Sequence, residues 1–409
     1  MLRKPIINTV WQILGKAMMV GLGLVTTGLL TRNLGPGVYG GYMLIVSSFI
    51  ILDAIADFGT KIIGIREMAG EKEQRARVIR DIGVIRVITT GIAFLIGLVV
   101  VMNWSVFETV RTEAVLGLIM IWLTSLGGIW EIIYQVEMRM DLKVVQDILF
   151  PCLIVVGIWG MRNNLSLISV FEISILARIV SLLVGLGMIN KITNYQLLIT
   201  NYKNNNWIEI KKMWKMAWPM GAYLLLFASY DRGVDSMMIG RFVGLKEVAW
   251  YGLAYKIYTT LLQPAYFFVT ATFPLMAAKD IEKRKLFKRS LVLLLVGVLG
   301  LIVGTQIMAP FAVRMLGGAE FEPAIIVLRI LILASFFSYL SHLFGFTLIA
   351  RGGQKEMLKL GVVALSFNLI ANYVFIQKYG IYGASWVTVA TEMLGTVGMG
   401  WFLLKRSKT

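Results

Sequence analysis

Cysteine, histidine and charge are scarce in this chain of 409 residues. Cys152 is its one cysteine and His342 its one histidine, which excludes an intrachain disulfide and a cysteine-based metal cluster. Charged residues make up 15% of the chain, whereas a soluble domain has about 25%. The sequence also lacks the G-x-x-x-x-G-K-S/T phosphate-binding loop and any acidic cluster with metal-ligand spacing. We therefore expect that the chain is not an enzyme and has no cofactor and no metal site.

Apolar residues, in contrast, fill the chain in long runs. They make up 58% of it, and the mean hydropathy is +0.76. The runs lack the alternating pattern over about ten residues that marks the strands of a membrane barrel. Because hydrocarbon offers no water to peptide groups, each run must close its own backbone hydrogen bonds as a helix. The predicted fold class is an all-α polytopic membrane protein.

About twelve stretches are long enough to cross a bilayer, which takes about 20 mainly apolar residues. The loops between them are short, and the longest, residues 191–216, leaves no room for a soluble domain. The predicted spans are 8–31, 40–65, 81–102, 113–135, 145–161, 167–190, 217–240, 248–275, 290–312, 324–350, 359–377 and 381–404.

The basic residues alternate between loops in a way that predicts orientation. One set of alternate loops, which includes both termini, carries 26 Lys and Arg, and the other set carries 7. The positive-inside rule then places both termini in the cytoplasm, which requires an even number of spans. The net charge of +17 is explained by loops that face anionic lipid, so we expect no nucleic-acid partner. The expected location is the cell (cytoplasmic) membrane.

A short repeat divides the chain into two halves. Segments 32–40 and 241–252 both contain Arg-x-x-Gly followed by Tyr-Gly, and each follows the first span of its half. Six spans separate the two segments, so the halves should form a parallel repeat. The predicted domains are an N-terminal six-helix lobe at 1–190, a cytoplasmic linker at 191–216 and a C-terminal six-helix lobe at 217–409.

Sixteen ionisable residues fall inside the predicted spans. Each would cost about 2.5–3.5 kcal/mol at the centre of a helix that faces lipid. So many cannot all face lipid, so they should line a hydrated interior path or pair across helices. A hydrated path through a two-lobed bundle is typical of a transporter. We interpret Arg86 and Arg178 as packing residues or as residues near helix ends.

Two groups of these residues are candidates for the functional site. An unpaired interior cation needs an anionic partner, and a diphosphate is a good one. The candidate substrate-binding cations are Lys16, Lys61, Arg232 and Lys256. The candidate ion-coupling or structural carboxylates are Asp53, Asp57, Asp231 and Asp235.

Helical spacing supports these groups but leaves their role open. Asp53, Asp57 and Lys61 recur every four residues, which predicts that they share one face of the second span. Asp231 and Asp235 have the same spacing in the seventh span. The alternative is that Asp57 with Lys61, and Asp231 with its neighbour in sequence, are buried ion pairs that only fix helix packing.

Several stretches resemble the Wzx-type polysaccharide flippases of the MOP superfamily, whose relatives include MurJ and the MATE exporters. Each stretch is short, but their order and spacing cover nearly the whole chain. One departure is Gln377, where the family usually has proline before Lys-Tyr-Gly. The stretches are LLTRNLGPGVYG at 29–40, DFG at 57–59 with RE at 66–67, DR at 231–232, IGRFVG at 239–244, YGLAY at 251–255, GGAEF at 317–321, LRIL at 328–331, NLIAN at 368–372 and KYGIYGAS at 378–385.

The resemblance implies a function as well as a fold. It implies two six-helix lobes with alternating access around a cationic cavity, in which the four candidate cations are placed by position only. The implied cargo is an oligosaccharide on a polyprenyl diphosphate, and the implied partners are membrane lipids and the glycan polymerase or glycosyltransferase machinery. The sequence does not specify the sugar, the coupling ion or the oligomeric state.

Three other functions stay open at this point. A MATE-like antiporter for cationic drugs needs an acidic or neutral cavity, which the excess of interior cations disfavours. A lipid II flippase would differ in cargo, and such relatives usually have more than twelve helices. A non-transporting membrane scaffold would not need so many interior charges.

Overall fold

The computed structural model describes residues 3–68, 75–192, 207–229, 233–277, 283–350 and 352–406. In these ranges the chain is helical, with short turns and no strand. The helices are α1 (Arg3–Asp57), α2 (Thr60–Met68), α3 (Arg75–Asn103), α4 (Arg111–Val136), α5 (Met140–Gly160), α6 (Leu167–Ile192), α7 (Trp207–Ala228), α8 (Val234–Phe242), α9 (Leu245–Ala277), α10 (Lys283–Gly317), α11 (Pro323–Ala350) and α12 (Gln354–Arg406).

Two of these helices are each long enough for two crossings. α1 has 55 residues and α12 has 53. At 1.5 Å per residue, a straight helix of either length would be about 80 Å long, more than twice the hydrocarbon thickness of about 30 Å. Each is broken at a glycine with positive φ, Gly35 at 69° and Gly380 at 58°. A residue with a Cβ would be strained in this left-handed region, so glycine allows the chain to turn there.

The helices account for the predicted membrane spans. Among the described residues, eight helical stretches are long and apolar enough to cross a membrane, and two of them contain the broken helices. The predicted spans 217–240 and 248–275 coincide with α7–α8 and α9, apart from residues 230–232, which lie outside the described ranges. The prediction of an all-α membrane protein with about twelve spans is therefore confirmed.

The chain divides into two compact units. The first unit is Met1–Leu34 with Ile45–Ser229, and the second is Gly35–Leu44 with Tyr230–Thr409. α7 packs on α2 and α3 in the first unit. Most of the predicted linker lies outside the described residues, so the predicted division at 191–216 stays a prediction.

Each unit has its own buried apolar core. In the first unit, α2, α3, α4 and α7 meet around Ile63, Ile82 and Ile132. In the second unit, α9, α10 and α11 meet around Val269, Val298 and Leu343.

The segment 35–44 docks closely in the second unit. The Tyr39 ring lies edge-on to Phe321, with ring centroids 5.8 Å apart. A Cβ at Gly40 would overlap the backbone carbonyl of Leu245, which cannot move aside as a side chain can. A Cβ at Gly37 would meet no atom within 4 Å.

Gly40→Ala should destabilise the second unit, whereas Gly37→Ala should not. Overpacking of this kind costs about 1–3 kcal/mol or more, because backbone has to shift. The measurement is the midpoint of thermal unfolding of the purified protein in detergent. Equal midpoints for the two variants would show that residues 35–44 do not dock as described.

Candidate functional site

A break in the helix, at residues 58 and 59, separates α1 from α2 and sets the geometry of the site. Asp57 ends α1, and the next two residues have positive φ, 37° at Phe58 and 78° at Gly59. The Thr60 hydroxyl donates a hydrogen bond of 2.6 Å to the Asp57 carbonyl, which closes the turn. The predicted continuous helix over 40–65 is therefore wrong at this point, because the left-handed turn ends it. Lys61 consequently does not continue the face that carries Asp57.

Arg86 of α3 fixes this break from the side. Its Nε donates to the Thr60 hydroxyl at 2.9 Å, and its Nη1 donates to the Ser125 carbonyl of α4 at 2.6 Å. Its Nη2 forms an ion pair with Asp57. The guanidinium lies against Gly128, where any side chain would overlap it, and Arg86 is only 3% exposed. Arg86, interpreted from the sequence as a packing residue or one near a helix end, thus joins α3 to α4 and to both sides of the break, and we call this set of bonds the Arg86 tie.

Two lysines share one carboxylate beside this tie. Glu131 of α4 accepts an ion pair from Lys61 at 2.6 Å and another from Lys143 of α5 at 3.0 Å. Lys143 also pairs with Asp147, one turn further along α5, at 2.5 Å. The Lys61 side chain is 35% exposed, and the other three side chains are 20–30% exposed. These side chains are thus partly exposed, unlike that of Arg86.

Three further charged side chains interact electrostatically with members of these ion pairs. Asp53 is exposed and interacts electrostatically with Asp57, Lys61 and two arginines. Arg178 of α6 lies 3.7 Å from the centroid of the Phe150 ring and interacts with Asp53. Lys16 of α1 is exposed and interacts with the ion pair of α5.

Together these residues form a charged network in the first unit. It holds five cations and four carboxylates, so its formal charge is +1. Its members, all in the first unit, are Lys16, Asp53, Asp57, Lys61, Arg86, Glu131, Lys143, Asp147 and Arg178.

In the second unit, Asp235 of α8 lies in a separate polar cluster. It is 1% exposed and accepts hydrogen bonds of 2.7 Å from the Tyr251 hydroxyl and from the Asn372 amide. The Tyr251 hydroxyl is also 3.2 Å from that of Thr388. These bonds join α8, α9 and α12, so Asp235 is held by three helices.

The structure distributes the remaining predicted residues as follows. Lys256 is half-buried on α9 of the second unit. Asp231 and Arg232 lie outside the described residues. The sequence did indicate one of the missed partners, since Lys143 and Asp147 have helical i, i+4 spacing. No local pattern relates Arg86 to Asp57, because they lie on different helices.

Solved structures share this fold. An inward-facing multidrug resistance MATE transporter of the MOP superfamily superposes with a TM-score of 0.73 at 15% identity over 95% of each chain. The lipid II flippase MurJ in an inward closed conformation gives 0.75 at 15% identity, over 98% of this chain and 87% of that one. A MATE transporter of Vibrio cholerae gives 0.60 at 17% identity, over 99% and 96%. At these identities the likeness establishes the fold alone.

The sequence itself shows the family. No curated protein sequence matches the chain. The profile of the family described as "Polysaccharide biosynthesis protein" matches residues 6–279, which is more than half of the chain. This chain therefore belongs to the polysaccharide biosynthesis protein family.

Proposed function

We propose that this protein flips an oligosaccharide linked to a polyprenyl diphosphate across the cytoplasmic membrane by alternating access. The observation that carries the proposal is the pair of lysines, Lys61 and Lys143, on one partly exposed carboxylate of a membrane helix. The family is one of polysaccharide biosynthesis, and MurJ, which has the same fold, is a lipid II flippase.

The physical problem is the passage of a charged, sugar-bearing head group through hydrocarbon. A charge at the centre of a lipid-facing helix costs about 2.5–3.5 kcal/mol, so nine such side chains need one another or water. The network of the first unit supplies this compensation, and several of its members remain accessible. An accessible polar region at membrane depth lowers the barrier for the head group, while the prenyl chain can stay in lipid.

Glu131 occupies, between the two lysines, the position that an anionic ligand would take. Its two oxygens accept one lysine each, at 2.6 and 3.0 Å, as two phosphate oxygens would. A diphosphate carries more charge and more acceptor oxygens than one carboxylate, so it would compete for both lysines. Arg86 has no such role, because Thr60, Ser125 and Asp57 already occupy its three nitrogens.

The competing function is export of a cationic compound, because MATE multidrug transporters have the same fold. The four carboxylates of the network would suit such a compound. Each of them, however, interacts with at least one of the five cations, which leaves a formal charge of +1. We therefore favour an anionic cargo over a cationic one. A lipid II flippase differs only in the sugar and peptide of the cargo.

Replacing Lys61 and Lys143 together with Ala should weaken binding of undecaprenyl diphosphate. Each charge-assisted hydrogen bond is worth about 1.5–3 kcal/mol, so the affinity should fall at least about tenfold. Native mass spectrometry of the purified protein measures binding, and glycan display by producing cells measures transport. Lys355→Ala, on an exposed lysine of the second unit, is the control.

Glu131→Gln separates a ligand site from a packing ion pair. If Glu131 competes with a diphosphate, its neutralisation should leave binding intact or tighten it, because both lysines lose an internal anion. If the three residues serve packing alone, the variant should unfold at a lower temperature, and it should not bind diphosphate more tightly than the unaltered protein does. Preferential binding of a cationic dye such as ethidium by the unaltered protein would instead favour the MATE-like function.

Gly128→Ala should disturb the Arg86 tie, whereas its neighbour offers a matched control. A Cβ at Gly128 overlaps the guanidinium, while a Cβ at Gly127 would lie 3.4 Å from the Leu182 side chain, an ordinary contact. A displaced Arg86 leaves Asp57 without its cation, and breaking a buried ion pair costs about 3–5 kcal/mol. The thermal midpoint should fall for Gly128→Ala and hardly change for Gly127→Ala. A fall of the same size in both would argue against the tie.

We propose a structural role for Asp235, the carboxylate of the second unit. Tyr251→Phe removes one of the hydrogen-bond donors described for Asp235 and leaves a buried acceptor less satisfied, at a cost of about 1–3 kcal/mol. Thermal unfolding should therefore begin at a lower temperature. Tyr373→Phe, at an exposed tyrosine of the same unit, should have no effect. An unchanged midpoint for Tyr251→Phe together with lost glycan display would favour ion coupling at Asp235 instead.

A further inference from the structure

The first three turns of α7 have a buried face. Ile210, Met213 and Ala217 recur at helical spacing and are 5%, 7% and 0% exposed. They pack into the core of the first unit with residues of α2, α3 and α4. This part of α7 is therefore held against the protein along one side.

The opposite face of the same turns is basic. Residues 208, 211, 212, 215 and 219 lie on one side of the helix, within about one third of a turn in total, as their spacing of three, four, seven and eleven requires. Ile208 is 77% exposed, and Lys211, Lys212 and Lys215 are all exposed. Within the described part of the chain, no ion pair neutralises these three lysines.

Two tryptophans border the basic face along one side. Trp207 is 63% exposed and Trp218 is 55% exposed. Tryptophan is enriched where a membrane meets water, because its ring is apolar and its N–H is polar. We name the surface formed by residues 207, 208, 211, 212, 215 and 218 the α7 face.

The α7 face lies where the chain approaches a membrane span. Residues 207–217 form about three turns, roughly 16 Å long, and the predicted span 217–240 follows directly. Lysines near a membrane surface attract anionic lipids by about 1 kcal/mol each. An exposed isoleucine and tryptophans beside the lysines match the boundary between head groups and acyl chains.

We propose that the α7 face binds the anionic head groups of phospholipids in the adjoining leaflet. The lysines contact the phosphates, while Trp218, at the start of the span, enters the acyl boundary. Trp207 and Ile208, which precede the span by about 14 Å, lie among the head groups. A site of this kind does not depend on which cargo the protein moves. It follows from charge complementarity and from the position of the face at the start of a span.

The α7 face is connected to the charged network by aromatic packing. The Phe58 ring stacks on Trp214, with centroids 5.1 Å apart, and lies 5.3 Å from Trp218. At Gly59 an added Cβ would lie 2.8 Å from the backbone nitrogen of Gly221. Lipid bound to α7 should therefore also stabilise the break between α1 and α2.

The test compares anionic with zwitterionic lipid on the full-length protein. Phosphatidylglycerol or phosphatidylcholine is added to purified protein, and native mass spectrometry counts bound lipid while thermal unfolding reports stabilisation. The variant is Lys211→Gln, Lys212→Gln and Lys215→Gln together. The control removes the same charge at three exposed lysines of the second unit, Lys355, Lys359 and Lys378.

We expect the variant to bind phosphatidylglycerol roughly a hundredfold more weakly than the unaltered protein, with the control unchanged. The difference should shrink as salt is added, because salt screens exposed charges. Equal losses in variant and control would overturn the proposal and indicate a response to net charge alone.

A second measurement keeps the proposal testable if the triple variant does not fold. A nitroxide is attached at Ile208→Cys in a Cys152→Ala background, in nanodiscs that contain phosphatidylglycerol. We expect the spin label to be shielded from a water-soluble nickel complex more strongly in these nanodiscs than in nanodiscs of phosphatidylcholine alone. Equal relaxation by the nickel complex in both kinds of nanodisc would refute the binding of anionic lipid at the α7 face.

Discussion

The ion pair between Asp57 and Arg86 is the interaction on which the interior of the first unit depends. Hydrocarbon cannot solvate either charge, so each requires the other, and the arginine also satisfies Thr60 and the Ser125 carbonyl. These bonds join α3 and α4 to the break that follows α1. The turn at Phe58 and Gly59, which positive φ values alone would disfavour, is therefore held in place from several sides.

The break separates a buried arginine, which holds helices together, from a partly exposed lysine, which we place in the binding site. Each of the three nitrogens of Arg86 has a partner and the side chain is buried, so it serves the structure. Lys61, just beyond the break, points instead to Glu131, where Lys143 meets it from another helix. Two partly exposed lysines on one carboxylate form the site that we propose for a diphosphate, which would enter by exchange with Glu131 and release that carboxylate from both lysines. This property fits a flippase, which must bind its cargo and release it on the other side.

Much of the fold could be predicted because a membrane span is a local property. A run of apolar residues has to be helical wherever it crosses hydrocarbon, so the twelve predicted spans coincide with helices where these are described. The errors occurred where one residue reverses the local pattern. The positive φ at Phe58 is an example, since phenylalanine does not predict a turn and the apolar run continues across it. The alternative in which Asp57 pairs with Lys61 is excluded for the same reason, since Asp57 pairs with Arg86 and Lys61 with Glu131.

The sequence by itself determined that this is a helical membrane protein with charges inside its spans, because composition and periodicity follow from one stretch of chain at a time. It also indicated which charged residues lie inside the spans, and four of the candidates belong to the network of the first unit, namely Lys16, Asp53, Asp57 and Lys61. Only the tertiary structure decided the partners. Arg86, Glu131 and Lys143 meet the candidates from α3, α4 and α5, and the distances between helices depend on packing that no local pattern encodes.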